Sequence, residues 1–190
     1  MKRYLATLLA LSLLTGTYLS AQSKPLESLS VAQDVNFKQW KKLQSTSGKC
    51  RIAMPDQPEH LQQKMTLPEE NMELRYDVYV AGLNERAVYM VLIAEYPPLI
   101  DPSYAEKSLE SFLNGILTQN PSNRLVFADL VTVKGGHKAL DFFIRTKDVY
   151  FKGRAIMANN QLYLLAMECE MQHYHDASFN FFIDSFEFLK

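Results

Sequence analysis

The stretch LVFADLVTVKGGHKALDFFIRTKDVYFKGRAIMANNQLYLLAMEC, residues 125–169, decides the fold. Its apolar residues gather in four blocks: Leu125 to Val133, Leu140 to Ile144, Val149 to Met157 and Leu162 to Cys169. Each is of strand length, and the gaps are too short for a crossover helix. Gly135-Gly136 and Asn159-Asn160 mark two of the gaps, and both pairs tolerate the positive φ of a tight turn. Four consecutive strands joined by short turns pair antiparallel.

The same grammar runs upstream. Met72, Leu74, Tyr76, Val78 and Val80 alternate with Glu73, Arg75, Asp77 and Tyr79, the period of a half-buried strand. The unbroken run from Ala87 to Ala94 fits a central strand covered on both faces. Trp40 to Leu43 and Cys50 to Met54 flank the turn residues Ser45-Thr46-Ser47-Gly48, and His60 to Leu67 reads as an edge strand ended by Pro68. Two helices interrupt the pattern. After Pro97-Pro98, Asp101 is the expected N-cap with Pro102 at the first helical position. Leu109, Phe112, Leu113, Ile116 and Leu117 then form one apolar face before Asn120-Pro121 stops the helix. At the C-terminal end Asp176 is the expected cap of a helix carrying Phe179, Phe182, Ile183 and Phe186. The expected class is α+β, a mainly antiparallel sheet flanked by helices.

Composition narrows the function classes. The 190 residues are 47% hydrophobic, 12% aromatic and 22% charged, with 7 Gly, 8 Pro and 2 Cys. That is too apolar for disorder and too poor in Cys for a disulfide-framework miniprotein. Lys and Arg number 20 against 21 Asp and Glu, a net charge of −1. Without Lys2 and Arg3 the balance is 18 against 21, or −3. Nucleic-acid binding draws on a basic excess that is absent here, so no nucleic-acid partner is expected.

Lys2 and Arg3, the apolar run Leu5 to Leu14 and the small pair Ser20-Ala21 read as a secretory signal peptide over residues 1–21, cut after Ala21. Left uncleaved, the segment would be a membrane anchor, but its apolar part is shorter than the roughly 20 residues of a spanning helix. Residues 22–37 read as a flexible tether and 38–190 as a single domain. The expected location is periplasmic or secreted. In an oxidising compartment Cys50 and Cys169 can form a disulfide, or remain two separate buried thiols; spacing leaves both readings open.

Several short motifs carry a resemblance. Trp40 followed by Gly48-Lys49-Cys50-Arg51-Ile52-Ala53-Met54-Pro55 resembles the GxFxIxxP opening of small exported bacterial domains. The step from Val131 through Gly135-Gly136 to Ala139 is similar to their strand–glycine–strand passage. Arg154 to Met157, Asn160 to Tyr163 and Phe182-Ile183-Asp184-Ser185-Phe186 are similar to their end pattern. These are the PsbP-like proteins, named after an extrinsic subunit of photosystem II. The resemblance covers about residues 38–190 and implies an α/β/α sandwich around an antiparallel sheet. No functional residue carries over from it.

The residues themselves offer two candidate sites. Arg145, Lys147, Tyr150, Lys152 and Arg154 interleave cations with aromatics along one hairpin, which suits an anionic glycan or an acidic protein face. The bland alternative is a solvated hairpin with inward aromatics. His173 and His175, at alternate positions, are the metal candidates, with His137 or Glu170 as further ligands. Against this, a zinc site needs three or four ligands, and a polar loop capped by Asp176 accounts for the same residues. Glu168 and Glu170 read as exposed strand-end carboxylates. There is no GxSxG, HExxH, P-loop or GxGxxG. The expected function is therefore that of a non-catalytic exported domain, with no cofactor. It would bind an envelope or secreted component, a protein or a glycan, through a sheet edge or the basic hairpin. The alternatives are an exported small-ligand or metal-binding protein, and a hydrolase whose site has no recognisable motif.

Overall fold

Alternation along two strands sets the layers. In the computed structural model, which describes residues 35–67, 72–96 and 102–189, strand β5 (Ala87–Glu95) pairs antiparallel with β9 (Gln161–Glu170). Met90, Leu92 and Ala94 of β5, with Leu162, Leu164 and Ala166 of β9, enter one core. Tyr89, Val91 and Ile93, with Tyr163, Leu165 and Met167, enter a second core on the opposite face. Both faces are buried, as the uninterrupted apolar runs require.

Around this pair the chain builds the expected sheet. The remaining strands are β1 (Lys41–Ser45), β2 (Cys50–Met54), β3 (Glu59–Leu67), β4 (Met72–Leu83), β6 (Asn123–Thr132), β7 (Lys138–Thr146), β8 (Val149–Ala158) and β10 (Glu187–Phe188). Among the described residues the α-helices are α1 (Ala105–Gln119) and α2 (Asp176–Asp184). Seven strands form one antiparallel sheet in the order β3-β4-β5-β9-β8-β7-β6. Helix α1 covers the first core through Leu109, Phe112 and Leu113. The second core is closed by Phe179, Phe182 and Ile183 of α2 and by Cys50, Ile52 and Met54 of a small sheet ordered β1-β2-β10. The result is an α/β/α arrangement in the α+β class.

Gly153 sits where only a hydrogen fits, since an added Cβ would lie 2.7 Å from Phe142 Cζ and 3.0 Å from the Leu165 carbonyl oxygen. This lets the Phe142 ring cross β8 beneath α1, against Phe112.

Three local expectations are corrected. Helix α2 is capped by His175, whose side chain accepts from the Ser178 N–H, and Asp176 is its first residue. The helix ends at Asp184, so Phe186 leaves it and packs on Tyr163 and Phe188 beside β10. Phe37, assigned to the tether, stacks on Phe181 at 4.5 Å and belongs to the domain. Trp40 meets Tyr89 at 5.2 Å and anchors the small sheet's edge. The expected signal peptide, the tether up to residue 34, Pro68, Pro97-Pro98 and the Asp101 cap lie outside the described residues. Helix α1 itself begins at Ala105, after a 3-10 turn over Pro102–Tyr104.

Candidate binding surface

The hairpin β7–β8 divides the five candidate binding residues into two groups. Period two puts Tyr150, Lys152 and Arg154 on the α2 face of β8. Lys152 is 87% enclosed, its side chain only 13% exposed. Its Nζ lies 2.9 Å from Asp176 Oδ1 and 2.6 Å from the Tyr174 hydroxyl. The ring centres of Phe179, Tyr174 and Phe143 surround it at 4.7, 5.3 and 5.5 Å. The Tyr174 hydroxyl donates to Asp176 as well. That hydrogen bond, followed by Lys152, holds the Asp176 carboxyl below its ordinary range, whereas burial pushes the Tyr174 hydroxyl up. Arg154 grips Asp141 with both arms, Nε to Oδ1 at 2.6 Å and Nη2 to Oδ2 at 2.8 Å. Tyr150 packs edge-on against Phe143 and Tyr174. These three residues fasten α2 and neighbouring strands together; their charges are spent inside the molecule.

Arg145 and Lys147 differ. Both are exposed at the hairpin tip, where Lys147 adopts φ +53°. Arg145 Nε donates to the Lys147 carbonyl at 3.2 Å. Neither cation has a carboxylate partner among the described residues. Opposite Arg145 on β6 stands Arg124, whose Nη1 donates to the carbonyls of Pro121 and Asn123 at 2.7 and 2.8 Å. The sequence reading missed Arg124. Counting outward from the Gly135-Gly136 turn places it opposite Thr146, and only a bulge at Val126 brings it to Arg145.

The two metal candidates serve other contacts. His175 Nδ1 is 2.8 Å from Ser178 Oγ within the α2 cap, and His173 Nδ1 is 3.8 Å from Glu170 Oε2. Among the described residues no group of three or more His, Cys, Asp or Glu could hold a metal ion. His137 packs on Phe188. Cys50 and Cys169 are free thiols, both buried, in place of the disulfide an oxidising compartment would allow. Burial pushes them up to about 12 and about 11 respectively. Glu168 is not the exposed carboxylate expected. It is half-buried on the α1 face between Val88 and Phe151, and desolvation raises its pKa. Glu170 is exposed and accepts from Gln172 at 2.8 Å.

A polar cluster that the sequence reading missed joins the small sheet to the large one. Asp77, 7% exposed, accepts from Ser47 Oγ at 2.8 Å on one oxygen. Its other oxygen is 2.7 Å from His60 Nε2. The imidazole stacks on Tyr79 at 4.3 Å. The alternation of β4 set Asp77 on the polar face with Glu73 and Arg75, and only the small sheet packed over that face buries it. The carboxylate stands between hydroxyl and imidazole, the reverse of a nucleophile activated by a base. The cluster acts as a clamp.

Fold and site together define a small α+β domain with a PsbP-like fold. No family model matches the chain, and no curated protein matches it. Among solved structures it is similar to cyanobacterial PsbP from Synechocystis, with a TM-score of 0.56 and 13% identity over 87% of this chain and 99% of that one. A Pseudomonas aeruginosa protein of unknown function, described as a putative regulator, aligns with a TM-score of 0.41 and 11% identity over 74% of this chain and 91% of that one.

Proposed function

We propose that the chain is an exported, non-catalytic domain that binds an envelope or secreted component with an acidic surface, through the tip of the β7–β8 hairpin. One observation carries this reading. Of the four hairpin cations named above, Lys152 and Arg154 are neutralised internally, while Arg145 and Lys147 stay exposed without a carboxylate partner among the described residues. The chain's small net charge makes that tip a local feature rather than part of a general basic field. The absence of catalysis is supported by the Asp-centred arrangement of Ser47, Asp77 and His60, and by two thiols held far from the thiolate form. Export is supported by the leader pattern over residues 1–21. No helix among the described residues is long and apolar enough to cross a membrane.

The test is capture from envelope extract by the chain spanning residues 22–190, comparing wild type with Arg145→Glu/Lys147→Glu. The expected result is a specific partner retained by wild type and lost by a variant whose circular dichroism is unchanged. Equal recovery by both proteins, or no specific partner with either, would overturn the reading. Export is checked by the intact mass of the protein recovered from the periplasm or medium, which should begin at Gln22.

A further inference from the structure

Strand β6 is the outermost strand of the seven-stranded sheet, so among the described residues the backbone groups along its outer side have no strand partner. Six large apolar side chains are exposed among the described residues, and four of them, Leu125, Val126, Phe127 and Leu130, lie on this one strand. Proteins commonly protect such an edge with Lys, Pro or inward charges. The sequence of β6, NRLVFADLVT, contains no Lys and no Pro. Its two charged residues are Arg124 and Asp129, and neither has an ion-pair partner among the described residues.

The bulge at Val126 gives these charges a particular symmetry. Arg124 lies opposite Arg145 and Asp129 opposite Asp141, so both face the same side of the sheet. Phe127, opposite Phe143, is midway between them when positions are counted along β7. Without the bulge the two charges, five residues apart, would face opposite sides. In a two-fold antiparallel pair, hydrogen-bonded and non-hydrogen-bonded positions alternate, so some residue must stand opposite its own copy. Placing Phe127 at that point sets Arg124 of one copy opposite Asp129 of the other, twice over, and Leu125 opposite Ala128.

The same placement relieves one internal conflict. Arg124 and Arg145 are like charges directly opposite each other, which is unfavourable within one copy, while Asp129 stands beside Asp141, whose charge Arg154 already balances. Across the axis the row becomes two arginines followed by two aspartates. We infer that the protein self-associates as a two-fold dimer through β6, centred on Phe127, joining the two seven-stranded sheets into one. This surface adjoins the tip at Arg145, but the pairing of Arg124 with Asp129 across the axis does not depend on the function proposed for the tip.

Sedimentation equilibrium of the purified protein tests the inference, using wild type, Arg124→Asp, Asp129→Arg and the double charge swap. Wild type should dimerise. Each single reversal should weaken the dimer by about tenfold or more, because two cross-strand pairs turn repulsive at once, and the double swap should restore it. A wild type that stays monomeric at about 1 mM overturns the inference. So does a dimer indifferent to the single reversals, which would use another surface, or a double swap that fails to recover.

Discussion

Two carboxylates on opposite faces of the sheet illustrate how placement sets the sign of a charge's effect. Asp176 is held below its ordinary value of 3.8 by Tyr174 and Lys152, so its stabilising contribution is complete above that value and fades as pH falls through the folded-state pKa. Glu168 is raised above 4.5 by desolvation, so its ionised form costs stability above the folded-state pKa, and the cost is absent below 4.5. Thermal unfolding should therefore show Asp176→Asn less stable than wild type at pH 7, with the gap closing in acid. Glu168→Gln should be more stable than wild type at pH 7 and indistinguishable from it below pH 4.5. Parallel pH profiles for either variant and wild type would refute the assignment for that residue. Neither role was legible in the sequence. Asp176 stands where a helix cap belongs, yet its carboxylate is drawn to Lys152, 24 residues away, and the His175 ring takes the cap instead. Glu168 lies near the end of an apolar strand, beside the exposed Glu170, and only the layer above it reveals its burial.

At the level of elements, the sequence was read well wherever one period ran unbroken. The doubly buried run of β5 and the apolar stripe of α1 stand as expected, whereas β4, expected to be half-buried, also turns Asp77, Tyr79 and Ala81 into the second core. What failed depended on pairing. The bulge at Val126 arises from the register of β6 against β7, and β10 is two residues long with no pattern to announce it. Gly153 belongs to the same category, since nothing around it in the sequence marks Phe142 as its neighbour. Gly153→Ala forces a methyl group against that ring and the Leu165 carbonyl, and overpacking of this kind costs about 1–3 kcal/mol. Chemical denaturation should show that loss; an unchanged midpoint would mean the two strands can part at no cost.

For the molecule as a whole, the second core holds both thiols, one from each end of the chain. A thiol reagent should label neither in the native protein at neutral pH and both in denaturant, with native labelling no faster than unfolding. Rapid reaction of either would contradict the burial described. The three-layer plan was legible because hydrophobic periodicity reports burial directly. The candidate surface was legible only in part, because which cations remain exposed is decided by Asp141 and Asp176, and composition assigns no partners. The topology has a further consequence for the order in which the fold can be completed. Strand β5 waits for β9, and β2 for β10, so the early part of the chain carries open strand edges until residues 161–188 follow. Delivered N-terminus first, the chain can close both sheets only once residues 161–188 have followed.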